Sequence, residues 1–137
     1  MRIPTDVYKK VVAAKVYMDE SYHRKICLDE IAQRACISKF HFHRLFARIY
    51  QITPHRYITN RRIHRAMELL SCPDMTVTQA SIAVGFDSLG SFSLLFKKQI
   101  SLSPAQYRLQ VLARNAQIQN QPSMFIPHCH MENRSAL

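Results

Sequence analysis

Apolar residues fall at helical spacing along most of the chain, and capping residues cut that pattern into segments. Val7, Val11, Ala14, Met18 and Tyr22 lie three or four apart, which predicts a first helix from about Thr5 to Tyr22. A short helix follows over Leu28 to Cys36, with Asp29 and Glu30 in the first turn, where the helix dipole favours acids. Ser38 is placed to cap a third helix reaching about Tyr50, and Phe42, Leu45, Phe46 and Ile49 form its apolar stripe. Thr53 followed by Pro54 is an N-cap with proline at the first helical position, opening a long helix to about Leu70. Cys72-Pro73-Asp74 breaks the chain. Thr76 then caps Val77 to Val84, Gly85 supplies a turn, Ser88 caps a helix to about Gln99, and Ser103-Pro104 starts the last one. With only two glycines and no alternating apolar run, the expectation is an all-α fold of about seven helices.

Two parts of this pattern are copies of each other. Ile31 to Tyr57 and Ala80 to Tyr107 both read as helix, turn, helix and a Ser/Thr-Pro start. A shift of 50 superimposes Ser38 on Ser88, Phe42 on Phe92, Leu45 on Leu95, Phe46 on Phe96, Thr53-Pro54 on Ser103-Pro104, and Tyr57 on Tyr107. Upstream of the serines the shift is 49, matching Ile31-Ala32 to Ala80-Ser81 and Ala35-Cys36-Ile37 to Val84-Gly85-Phe86. One extra residue in the second turn, Asp87, accounts for the change. A shared cap, a shared core trio and a shared Pro-x-x-Tyr at fixed distances mark an internal duplication.

At 137 residues the chain suits one domain, or two very small ones sharing a spine. It holds no apolar run near the ~20 residues of a membrane span, and Met1-Arg2-Ile3-Pro4 does not open a signal peptide, so a cytoplasmic protein is expected. Cys27, Cys36, Cys72 and Cys129 lack Cys-x-x-Cys spacing and read as plain thiols. The net charge of +10 is unevenly spread. No acidic residue occurs from Ile31 through Met67, whereas Arg34, Lys39, Arg44, Arg48, Arg56, Arg61, Arg62 and Arg65 all do, with His41, His43, His55 and His64 among them. Such a segment suits a polyanion, because neutralising phosphates releases condensed counterions. Its histidines predict tighter, less selective binding as pH falls into the range where imidazole gains a proton.

Particular residues now resemble a known family. Val77-Thr78, Ala83-Val84-Gly85-Phe86-Asp87-Ser88, Phe92-Ser93, Phe96-Lys97-Lys98 and Ser103-Pro104-Ala105-Gln106-Tyr107-Arg108 carry the likeness in the second copy. Ile31-Ala32, Ser38, His41, His43-Arg44-Leu45-Phe46 and Pro54-x-x-Tyr57 carry it in the first. Over about Thr5 to Gln110 the chain resembles the DNA-binding domain of the AraC/XylS family of bacterial transcription regulators. The resemblance implies two homeodomain-like, three-helix helix-turn-helix subdomains joined by a linker helix, binding promoter DNA close to the nucleoid. The expected division is 1–52 for the first subdomain, 53–71 for the linker helix, 72–112 for the second, and 113–137 for a flexible tail.

Helical geometry leads to the same place. The 18 residues from Thr53 to Leu70 would span roughly 27 Å at ~1.5 Å per residue, so reading helices about one DNA turn apart (~34 Å) are reasonable. Fused, unequal units would bind an asymmetric site as a monomer, and RNA polymerase is a further candidate partner. On Ser38 to Tyr50 the face opposite the apolar stripe carries Phe40, His43, Arg44 and Ala47. Arg44 suits a bidentate contact to guanine, His43 a purine edge and Phe40 a thymine methyl, with Lys39, Arg48 and Arg61 as further contacts. The corresponding face of Ser88 to Gln99 carries Gly90, Ser93, Leu94 and Lys97. Leu94 stands where Arg44 stands and where the resemblance implies an arginine. Specificity is therefore expected mainly in the first unit. Lys97, Lys98, Gly90, Ser91 and Ser93 would anchor the second on the backbone, with Leu94 at most touching a methyl.

Other chemistry finds little footing. No nucleophile-base pair, carboxylate pair or glycine-rich phosphate loop appears with usable spacing, so an enzyme and a cofactor are not expected. His128-Cys129-His130 could touch a soft metal, but adjacent ligands rarely make a site, so no metal is expected. Met124-Phe125-Ile126 is an apolar cluster that could dock on a partner. With only short segments around the core in this sequence, a large ligand-sensing pocket is not expected. The rival reading is a module that binds RNA or any polyanion through charge alone.

Overall fold

The computed structural model describes residues 2–120, and among them the chain forms seven helices and no strand. They are α1 (Thr5–Ser21), α2 (Leu28–Arg34), α3 (Lys39–Tyr50), α4 (Pro54–Leu70), α5 (Val77–Ala83), α6 (Leu89–Ile100) and α7 (Pro104–Gln119). Their starts follow the caps. Ser38, Thr76, Ser88 and Ser103 each accept a hydrogen bond from the backbone N–H three residues on, and Thr53 Oγ1 accepts from Arg56 N–H at 3.3 Å. Each such bond satisfies a donor the helix itself leaves open, contributing about 1 kcal/mol. The ends are less faithful to expectation. α1 stops one residue short, and α2 stops at Arg34 rather than Cys36, because Cys36 turns into the left-handed region at φ 55°. α7 runs on to Gln119, past residue 113, and the expectations for His128-Cys129-His130 and Met124-Phe125-Ile126 lie outside the described residues.

Two compact units share α4, dividing between Arg62 and Ile63. In the first, Val11, Ala14 and Met18 of α1 bury against Ile31, Ala32, Phe42, Leu45 and Phe46, with Ile58 of α4 added. In the second, Ile63, Ala66 and Leu70 of α4 bury with Ala80, Val84, Phe92 and Phe96. The segment expected as a linker thus supplies core residues to both units. At roughly 1.5–3 kcal/mol for each fully buried large apolar side chain, these clusters are the main source of stability.

The duplication holds at the level of single bonds. Ile37 N–H donates to the Ala32 carbonyl at 3.2 Å and Phe86 N–H to the Ser81 carbonyl at 3.0 Å, closing the turn after α2 and α5 alike. After α3 and α6, Gln51 and Ser101 both turn left-handed, at φ 58° and 69°. Ring packing repeats as well: Phe42, Phe46 and Tyr57 follow at centroid distances of 5.7 and 5.6 Å, and Phe92, Phe96 and Tyr107 at 5.6 and 5.4 Å. An arginine clamp closes each unit. Arg62 donates to the Tyr22 and Arg24 carbonyls at 2.6 and 2.9 Å, and Arg108 donates to the Met75 and Pro73 carbonyls at 2.8 and 3.0 Å.

Candidate nucleic-acid interface

In the first unit, burying Phe42, Leu45 and Phe46 turns the other side of α3 outward. Phe40 is 77% exposed, and Arg44 is exposed beside half-buried His43 and Ala47. An aromatic ring at a helix start usually packs inward as a staple. Phe40 does not, so it is available to a ligand. Arg48 is exposed on the following turn, its carbonyl accepting from the Gln51 side chain at 2.8 Å.

Two of the expected contacts are engaged elsewhere. Lys39 Nζ lies 3.6 Å from Asp29, an exposed pair that a phosphate could replace at little cost. Arg61 is drawn against α1: its guanidinium lies over Tyr22 at 5.4 Å, and its Nε faces Asp19 Oδ1 at 3.4 Å, buried and not aligned for a hydrogen bond. Asp19 also accepts from Lys15 at 3.2 Å and from the Tyr57 hydroxyl. The hydrogen bond to Asp19 raises the Lys15 pKa against the opposing effect of burial. Burial, then Asp19, raises that of Tyr57. This network ties α4 to α1, and sequence spacing hid it, since Lys15 and Asp19 are four apart on α1 and Tyr57 and Arg61 four apart on α4, but nothing local joins the two pairs.

In the second unit, Phe92 and Phe96 bury one side of α6 and leave Gly90, Ser91, Leu94, Lys97 and Lys98 exposed, with Ser93 half-buried. Leu94 is 76% exposed. A Cβ built on Gly90 would meet no atom within 4 Å. Among the described residues Arg44, Lys97 and Lys98 have no acidic partner, so their charge is free to meet an anion. A groove of about 510 Å³ in this unit, lined by His64, Met67, Tyr107 and Arg114 among others, includes none of the candidate contacts. No group of three or more His, Cys, Asp or Glu that could hold a metal occurs among the described residues, and no helix there is long and apolar enough to cross a membrane.

Residues 31–110, more than half of the chain, match the family described as a helix-turn-helix domain. The activator AarP of Providencia stuartii is 33% identical over 94 residues, 69% of this chain and 70% of AarP. The chain belongs to the AraC/XylS family of helix-turn-helix regulators. The MmsAB operon regulatory protein of Pseudomonas aeruginosa is 37% identical over 95 residues, 69% of this chain but 31% of that relative. The AraC-type chain therefore spans about a third of several of the longer regulators it matches. Among solved structures, the DNA-binding domain of AdpA in complex with a target DNA aligns with a TM-score of 0.74 at 27% identity, covering 78% of this chain and 96% of that one. An AraC-type regulator from Chromobacterium violaceum aligns at 0.69 with 26% identity, covering 76% and 93%.

Proposed function

We propose that this chain is a sequence-specific, double-stranded DNA-binding transcription regulator that sets α3 and α6 into successive major-groove segments. The observation that carries the reading is the paired outward faces of α3 and α6, each held from behind by the same caps, turn and phenylalanine pair. The likeness to a domain solved on its target DNA supports it.

The roles divide by chemistry. Arg44, exposed and without an acid, has the fork geometry for guanine O6 and N7, and Phe40 and His43 flank it for a thymine methyl and a purine edge. Lys39, Arg48, Lys97 and Lys98 meet phosphates, as do exposed Gly90 and Ser91 and half-buried Ser93 in the first half of α6. Arg61 enters as a positioning residue, since Asp19 and Tyr22 already hold it. Two unequal reading helices in one polypeptide bind an asymmetric promoter site as a monomer, with RNA polymerase as the further partner.

Selection of binding sites from random duplexes tests this, followed by competition between a selected duplex and RNA of equal charge at several salt concentrations. One enriched asymmetric motif, held against RNA at physiological salt, is expected. Equal affinity for every polyanion, falling with salt alone, would refute the reading.

A further inference from the structure

Leu94 and Gly90 pose a problem that the fold itself does not solve. Leu94 leaves three quarters of a large apolar side chain in water on a helix where Phe92 and Phe96 are fully buried, Leu95 and Ile100 are half-buried, and Leu89 at its start is 43% exposed. One turn before it on the same face, Gly90 leaves the helix surface bare although a methyl group there would touch nothing. Alanine is the better helix former, so the glycine weakens the helix without relieving any contact within the unit. Both choices make sense only against an outside surface: one removes bulk so that the helix can come close, the other offers a single apolar knob.

The surroundings say what kind of surface. α6 carries no acidic residue, Lys97 and Lys98 occupy its last turn, and Ser91 and Ser93 lie between Gly90 and Leu94. A broad apolar partner would need a wider patch than Leu94 and the less exposed Leu89 set among serines and lysines. A major groove presents phosphates at its rims and, at each A·T pair, the C5-methyl group of thymine, its only sizeable apolar group. Resting on the DNA-binding reading above, we infer that the second unit reads thymine, through a methyl contact made by Leu94 that the bare surface at Gly90 allows to form.

The test uses the full chain and a selected duplex in which single thymines are replaced by deoxyuridine, a change that removes only the methyl group. The half-site of the second unit is identified as the one whose base preferences survive Arg44→Ala. One or two replacements in that half should weaken binding about fourfold, the loss expected for one buried methyl, and the same replacements should cost nothing with Leu94→Ala. Gly90→Ala should raise the melting temperature yet weaken binding to the thymine-containing duplex, and weaken it less once the methyl is gone. If selective binding persists while no replacement in that half matters, or if Leu94→Ala keeps the full sensitivity, the inference fails. A Gly90→Ala protein that is more stable and binds as before also overturns it. Failure of the underlying DNA reading looks different, since no sequence would then be enriched at all.

Discussion

Cys36 and Gly85 turn the same corner: one residue past the C-cap of α2 and of α5, their φ angles are 55° and 97°. The next N–H returns to the helix in both units, from Ile37 to Ala32 and from Phe86 to Ser81. Glycine takes this conformation without strain, whereas a side chain there crowds its own backbone. Gly85→Ala is expected to cost about 1 kcal/mol or somewhat more, and Cys36→Gly to gain up to about 1 kcal/mol, offset in part by the freedom glycine restores to the unfolded chain. Urea unfolding of the two variants measures both signs. A destabilised Cys36→Gly protein would contradict the strain argument.

Phe40 and Phe42 stand two residues apart on α3 and should behave oppositely. Phe42 is fully buried, so Phe42→Ala should lose about 3–5 kcal/mol, as should Phe92→Ala in the second unit. Phe40 is mostly in water, so Phe40→Ala should change stability by no more than about 0.5 kcal/mol. Its affinity for a selected duplex should nevertheless fall. Calorimetric melting alongside fluorescence anisotropy separates the two effects, and a Phe40→Ala protein with unchanged affinity removes that ring from the interface.

How far this was legible beforehand depends on where the physics is local. Helix starts could be read because a serine or threonine cap is a short-range device, and Ser38, Thr76, Ser88 and Ser103 each do what their spacing implies. The exposed face of α3 follows from the 3.6-residue period, with Phe42 and Phe46 as its core side. The end of α2 is not legible from local sequence, because nothing in a cysteine announces a left-handed turn; only its alignment with Gly85 hints at it. α4 looked like a spacer because its repeat-matched residues stop at Tyr57, whereas Ile63, Ala66 and Leu70 act toward the second core as Val11, Ala14 and Met18 of α1 act toward the first. The Asp19 network and the Arg62 and Arg108 clamps join residues 33 to 42 positions apart, beyond the reach of periodicity.

Arg44 and Lys97 should fail in different ways. Removing a bidentate guanine contact costs about 1–3 kcal/mol and relaxes preference at one base pair, whereas removing a phosphate contact weakens every sequence alike and lowers the salt slope by about 1. Arg44→Ala is therefore expected to flatten one position of the selected motif while keeping the salt dependence nearly intact. Lys97→Ala is expected to keep the motif and reduce the slope. Titrations of matched and single-mismatch duplexes over a range of salt decide it; a uniform loss for Arg44→Ala would make that arginine a backbone contact.

Alkaline pH should loosen both units through their tyrosines. Burial raises the pKa of Tyr50, Tyr57 and Tyr107, with Asp19 adding to the effect at Tyr57, and the hydrogen bond to Asp19 raises that of Lys15. A raised native pKa means that the folded chain keeps a proton the unfolded chain has already lost. The associated stability is therefore complete below the unfolded values of about 10 for tyrosine and about 10.4 for lysine, and is lost as pH rises through the higher native ones. Unfolding free energy should thus stay level on this account up to about pH 9 and then fall. Tyr57→Phe should cost about 1 kcal/mol at neutral pH, for the hydrogen bond to Asp19, and make the alkaline fall shallower. Tyr107→Phe should shallow it as well, from the second unit. Denaturant unfolding from pH 8 to 11 gives the slope directly, and an equally steep fall in both phenylalanine variants would assign the loss to other groups.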